Sequence, residues 1–350
     1  MPVLQSLRRS IACLLLFAAA GAAGAEPSFL AVHRDNFPDP FILEHKRQYF
    51  AYSTNSEGVN LPMITSRDLI AWSDVIDPSR PGKRLDAMPA LAPWVQEGRT
   101  WAPEVLKIGG RWLLYYTARH RKRDIQCIGV ASAPDPRGPF RDASAEPLVC
   151  QYDLGGTIDA HPFRDADGQL YLYYKNDGNN PKVLKPSQIW AQRLSPDGLR
   201  LTGDAAPLVR NDKHWEWRVV EAPTMVRHAG GYTLFFSGNH FGWEADQRLS
   251  NYGTGYAQCQ GPMGPCADAP ENPWLRSFND RRAGCLSGPG HPAVFSVGSR
   301  QFMAFHAWAA TTGCRKAADE RYLYIAPLMW KEGKPVLALG LRPAQRPQQR

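Results

Sequence analysis

Asp159-Ala160-His161-Pro162-Phe163, a turn at Asp167-Gly168, and Leu170-Tyr171-Leu172-Tyr173-Tyr174 decide how this chain is read. An apolar run, a Gly-containing turn and an aromatic-rich run describe two short strands in a hairpin. Aromatic and β-branched residues fill such strands because they pack well on a pleated surface. Working outward, the same grammar returns four more times. It appears at Asp39-Pro40-Phe41-Ile42-Leu43 with Tyr49–Tyr52, and at Ala102-Pro103-Glu104-Val105-Leu106 with Trp112–Tyr116. It appears again at Glu221-Ala222-Pro223-Thr224-Met225-Val226 with Tyr232–Phe236, and at Gly290-His291-Pro292-Ala293-Val294-Phe295 with Phe302–Phe305. The copies recur at intervals of roughly sixty residues, with weaker strand candidates such as 125–132 and 189–194 between them. Long helical periodicity is absent. The pattern predicts an all-β chain forming a five-bladed β-propeller of about four antiparallel strands per blade, one domain over 26–340.

Composition sets the boundaries of that domain. Arg8 and Arg9 precede an apolar run at 11–20, and Ala23-Gly24-Ala25 offers small residues for cleavage. Residues 1–25 therefore read as a signal peptide, and the chain as secreted or periplasmic. Cys13 lies inside the apolar run rather than after it, which argues against a lipid anchor. No later stretch approaches a membrane span. Six of the seven cysteines lie beyond the leader, and an even count in an exported chain reads as three disulfides. Fifteen pairings are possible, and pairing between sequence neighbours is the expectation. The net charge of +8 falls by two when Arg8 and Arg9 leave. The remaining excess is spread along the chain instead of clustered, so no nucleic-acid partner is expected. Residues 341–350 read as a disordered tail, and a monomer is expected.

In a propeller the first strand of each blade lines the central channel. The strand starts Asp39, Ala102, Asp159, Glu221 and His291 should then face one funnel. Carboxylates crowded together raise one another's proton affinity, which suits acid–base chemistry. Glycoside hydrolysis needs a proton donor on one side of the scissile bond and a base on the other. His161 follows Asp159 by two residues, which on a regular strand puts both on one face near the sugar. Arg321, in the last apolar strand, is a candidate for hydrogen bonding a sugar hydroxyl. Loops 77–100, 177–187 and 239–252 should form the channel mouth.

The motifs Asn36-Phe37-Pro38-Asp39-Pro40, Trp101-Ala102-Pro103-Glu104-Val105, Ile158-Asp159-Ala160-His161-Pro162-Phe163, Val220-Glu221-Ala222-Pro223 and Gly288-Pro289-Gly290-His291 occur in that order, one per blade. Together they resemble glycoside hydrolase family 43, five-bladed propellers that hydrolyse arabinofuranosides, arabinans and xylosides with inversion. The resemblance implies that Asp39 is the general base, Glu221 the general acid, and Asp159 the residue that tunes and orients the donor. It implies that Trp101 borders the sugar pocket. It further implies that His291 helps hold a hydrated ion, usually calcium, in the channel, with no organic cofactor. Inversion implies a separation of roughly 6.5–9.5 Å between the Asp39 and Glu221 carboxyls. The stretch from Gly255 to Cys266, with Asn272-Pro273, resembles exo-acting arabinofuranosidase members, so the expected partner is a plant cell-wall oligosaccharide or polysaccharide. The alternatives are a β-xylosidase or exo-galactanase of the same fold, or a carbohydrate-binding propeller without catalysis.

Overall fold

The computed structural model describes residues 29–244, 249–280, 284–311 and 313–338. The expected leader at 1–25 and tail at 341–350 lie outside the described residues. Five antiparallel sheets form the five blades of a propeller. Blade 1 runs Phe41–His45, Gln48–Tyr52, Met63–Ser66, Trp72–Asp74. Blade 2 runs Val95–Ile108, Arg111–His120, Gln126–Ala133. Blade 3 runs Thr157–Arg164, Leu170–Asn176, Gln188–Leu194, Leu201–Arg210. Blade 4 runs Val220–His228, Gly231–Gly238, Gly253–Cys259, Cys266–Asp268. Blade 5 runs Gly290–Val297, Arg300–Ala310, Lys316–Lys331. Its outer edge is completed by Lys334–Leu337 and by Ala31–His33 from the other end of the chain. That N-terminal strand closes the ring, joining first and last segments in one sheet. Helical structure among the described residues is limited to two three-residue turns, Tyr152–Leu154 and His214–Glu216. No helix there is long and apolar enough to cross a membrane.

Blade 2 departs from four strands. Among the described residues its outer edge is met only by isolated bridges, Ser132 with Arg141, Ile128 with Val149 and Gln126 with Gly156. The intervening segment carries Pro134, Pro136, Pro139 and Pro147, which have no N–H to give to a ladder.

The second strand of each blade shows why the aromatic runs are paired. Side chains alternate between the two faces of a strand. Leu114 and Tyr116 pack against Phe50, Tyr52 and Met63 of blade 1, while Leu113 and Tyr115 pack against Leu170, Leu172 and Tyr174 of blade 3. Tyr171 and Tyr173 face Leu234 and Phe236 of blade 4, and Phe235 faces Met303 and Phe305 of blade 5. Phe302 and Ala304 meet Ile42, Ala51 and Ile64 of blade 1. A blade buried on both faces thus needs an unbroken apolar run. The disulfides join sequence neighbours: Cys127–Cys150, Cys259–Cys266 and Cys285–Cys314. The second staples the outer hairpin of blade 4 at the register Cys259 opposite Cys266.

Candidate active site

Every inner strand is broken at its channel end by one residue with positive φ. These are Asp39 (55°), Ala102 (45°), Asp159 (59°), Ala222 (53°) and His291 (53°). In blades 2 to 5 the ladder register shifts at that point, between Trp101 and Glu104, Ile158 and His161, Glu221 and Thr224, and Gly290 and Ala293. This is a β-bulge, which re-aims a side chain toward the strand end. Holding a non-glycine residue there costs about 1–2 kcal/mol, so the surroundings must fix it. The preceding blade does so. The backbone N–H of Asp39 donates to His306 Nδ1 (3.1 Å), that of Ala102 to Thr54 Oγ1 (3.0 Å), that of Asp159 to Thr117 Oγ1 (3.0 Å), and that of His291 to Ser237 Oγ (2.8 Å). Each capping side chain stands on, or just beyond, its blade's second strand, opposite the residue before the positive-φ position where the ladder pairs them. At the equivalent position in blade 3 stands Lys175, opposite Ile158. The N–H of Ala222 turns instead to Asp159 Oδ2 (2.9 Å), freeing Lys175 to reach Glu221.

The bulge corrects two sequence expectations about placement. Glu221 is not the counterpart of Asp39 and Asp159; it stands one residue earlier, level with Trp101, as its pairing with Ser237 and that of Trp101 with Thr117 show. The extra residue at Asp159 also breaks the alternation that would have put His161 beside it. His161 is buried between blades 2 and 3, where its Nδ1 meets Glu104 Oε2 at 2.7 Å, and it does not line the funnel.

A funnel of about 750 Å³ is lined by Asp39, Trp101, Asp159, Glu221, His291 and Arg321, brought together from all five blades. Loops 177–187 and 239–252 wall it through Asn180, Leu184, His240 and Phe241; loop 77–100 contributes no lining residue. A depression of about 860 Å³ on the rim, near Arg84, Glu57 and Asp86, gathers paired surface charges rather than converging acids.

The acids have opposite environments. Asp39 is partly buried, and its loss of solvent alone would raise its proton affinity. The guanidinium of Arg321 (Nη1 to Oδ1, 3.1 Å) and the ring of His291 (Nδ1 to Oδ1, 3.3 Å) outweigh that, and its carboxyl lies well below the usual range. Thr54 donates to its other oxygen. Arg321, expected to reach for a sugar, is thus first a partner of Asp39, and its guanidinium rests over Phe241 (5.2 Å) and Trp308 (5.8 Å). His306 stays neutral, its pKa pushed down to about 4 by burial and by Arg321. Asp159 goes the other way. Burial, with Glu221 and Asp39 adding repulsion against the pull of His291 and Lys175, raises it to about 7. Glu221 receives Lys175 Nζ on Oε2 (3.1 Å) and Tyr252 hydroxyl on Oε1 (2.8 Å). Lys175 has no exposed surface, and Asp177 at 3.6 Å is its second carboxylate. Tyr252 lies against Gly290 so closely that a Cβ there would sit 2.0 Å from its ring, so glycine is required before His291. One funnel therefore holds an ionised carboxylate on one wall and a carboxyl that keeps a proton near neutrality on another.

Lys175, Tyr252, Thr54 and His306 were missed in the sequence reading. The ring of second-strand positions (Thr54, Thr117, Lys175, Ser237, His306) is visible only once the hairpins are aligned, and within it a lysine is the anomaly. An ion beside His291 would be held through water rather than ligated directly. Its Nδ1 is turned to Asp39, and no group of three His, Cys, Asp or Glu donors surrounds it among the described residues.

Asp159 carries a stability prediction. Its folded pKa stands above its ordinary 3.8, so the folded state binds the proton more tightly and stability falls as pH rises from about 4 through about 7. Asp159→Asn should remove that penalty. Its advantage over wild type is expected to be nil near pH 4 and to grow to about 1–4 kcal/mol at pH 8. Thermal melts from pH 4 to 8 check this; a pH-independent difference would assign the elevated proton affinity elsewhere.

The family model for Glycosyl hydrolases family 43 matches residues 31–335. The β-D-galactofuranosidase xynD of Aspergillus niger is 25% identical over 87% of this chain and 83% of its own length. The arabinoxylan arabinofuranohydrolase of Bacillus subtilis is 28% identical over 70% of this chain, which spans only 47% of that longer protein. The crystal structure of a thermostable family-43 glycoside hydrolase superposes with a TM-score of 0.74 at 28% identity, covering 89% of this chain and 96% of the other.

Proposed function

Because the chain belongs to glycosyl hydrolase family 43, we propose that this glycoside hydrolase cleaves pentose-containing plant polysaccharide or oligosaccharide by inverting single displacement, as an exo-acting α-L-arabinofuranosidase. The observation that carries the reading is the contrast in proton affinity across the funnel, with Asp39 held ionised and Asp159 raised beside Glu221. In the proposed step Asp39 takes a proton from water, whose oxygen attacks the anomeric carbon. The bond from that carbon to the glycosidic oxygen breaks, and Glu221 protonates the departing oxygen. Arg321 and His291 keep the base free of its proton between turnovers. Asp159, fixed by its bond to the Ala222 N–H, holds its own proton up to about pH 7 and orients the segment that carries Glu221.

Two features support a terminal furanose as substrate. Loops at 177–187 and 239–252 wall the funnel, which favours a chain end over mid-chain binding. A relative matched along most of both chains is named a furanosidase. Three disulfides support the reading of an exported enzyme. Hydrolysis of the p-nitrophenyl α-L-arabinofuranoside, β-D-galactofuranoside and β-D-xylopyranoside, with the first product followed by proton NMR, tests the proposal. The arabinofuranoside is expected to turn over at least tenfold faster than the xyloside and to release the β-anomer first. A faster xyloside would replace the substrate reading. An α-anomer formed first would overturn single displacement, and sugar-induced stabilisation without turnover of any substrate would favour a binding propeller.

A further inference from the structure

Away from the funnel, the outer edges of blades 3 and 4 meet. The outer strand of blade 3 ends at Arg210 and leads into the turn His214–Glu216; the outer strand of blade 4, Cys266–Asp268, lies alongside. Asp212, Glu216 and Asp268 each offer a carboxylate oxygen, and the three oxygens lie within 4.8 Å of one another. Asp212 already holds Lys213 Nζ at 2.7 Å, with both side chains more than half exposed. Glu216 has no exposed surface. Its Oε2 accepts the Lys213 backbone N–H at 2.9 Å, while its Oε1 is buried with no N–H or O–H donor among the described residues, and burial with the neighbouring Asp268 and Asp212 raises its pKa to about 7. A buried carboxyl with no donor on one oxygen and two further acids beside it is costly to ionise, so the cluster must take up either a proton or a cation.

We propose that Asp212, Glu216 and Asp268 form a calcium site that ties blade 3 to blade 4. The donors are all carboxylate oxygens, which suit a hard cation, and no His or Cys joins them to favour zinc or copper. They come from three separate backbone positions, an irregular arrangement that calcium accepts more readily than magnesium, which demands near-octahedral geometry. The site would matter to the funnel through the backbone. The Glu216 carbonyl accepts the N–H of Val219 (2.9 Å) and of Asn239 (3.0 Å). The next residues, Trp217, Arg218 and Val219, form funnel wall and lead to Glu221. A cation on Glu216 would therefore stiffen the approach to Glu221 without touching substrate.

The test uses the full chain stripped with EDTA and titrated with calcium chloride. Millimolar calcium is expected to raise Tm by roughly 2–5 °C. Terbium should luminesce when Trp215, next to Glu216, is excited, and calcium should displace it. Asp268→Asn and the exposed Asp212→Asn should each weaken binding at least tenfold, so that one well-folded variant suffices, while Asp39→Asn should keep the response and so separate it from the funnel. Absence of both the Tm shift and the terbium signal in wild type would overturn the proposal. So would a response that both Asp212→Asn and Asp268→Asn retain.

Discussion

Asp39→Asn is expected to lower kcat by about 10²–10⁴ with KM little changed, because it removes a proton acceptor and leaves its scaffold. Asparagine tolerates the positive φ of 55° at this position, as few residues do. Its amide oxygen can still accept from Thr54 or from Arg321, so the positive-φ turn and the funnel wall keep their shape. What the amide cannot do is take a proton from water. The same environment sets the pH profile of the wild-type enzyme. Arg321 and His291 hold Asp39 well below the ordinary 3.8, so the base loses its charge, and the rate its acid limb, only below about pH 4. Asp159, raised to about 7, gives up its proton near neutrality, and the rate should change there as its charge appears beside Glu221. Initial rates from pH 3 to 9 on an aryl arabinofuranoside, together with circular dichroism of the variant, check both statements. A folded Asp39→Asn enzyme with more than a tenth of wild-type turnover would remove Asp39 from the role of base.

The blades were legible in the sequence because each second strand is buried on both faces. Leu113–Tyr116 and Leu170–Tyr174 must feed two neighbouring blades, so they are unbroken apolar runs that mark the repeat. The five-fold alignment of the site was legible only to within one residue. A bulge adds a residue without leaving a compositional mark, and here its positive-φ position is filled by Asp, Ala or His instead of glycine. Strict alternation from Asp159 to His161 therefore failed across it. A better guide was present. In four blades the positive-φ residue directly precedes a proline (Pro40, Pro103, Pro223, Pro292), which would have aligned Ala222, and not Glu221, with Asp39. Blade 3 lacks that proline, having Ala160, and Pro162 there marks a position two residues further on. The strand Ala31–His33 that closes blade 5 was beyond reach for a different reason. Three residues are too short for periodicity, and their partner strand lies nearly the whole chain away.

Glu221→Gln is expected to divide substrates by their leaving groups. Glutamine is nearly isosteric, and its amide can accept from Lys175 and meet the Tyr252 hydroxyl, so the buried lysine keeps a polar partner, with Asp177 at 3.6 Å as its carboxylate. Lost is the proton delivered to the glycosidic oxygen. A natural glycoside departs as a strongly basic alkoxide unless protonated, so its hydrolysis should slow by about 10²–10⁴. A 2,4-dinitrophenyl glycoside departs as a weakly basic phenoxide and needs no proton, so its kcat should fall by less than about tenfold. Asp39→Asn gives the necessary contrast: water activation is required whatever departs, so both substrates should suffer alike. Measuring kcat for both variants on an arabino-oligosaccharide and on the dinitrophenyl arabinofuranoside resolves the two functions. Equal losses for Glu221→Gln on the two substrates would mean that Glu221 holds the site together through Lys175 and Tyr252, and that the proton comes from another group, of which Asp159, raised to about 7, would be the first to replace.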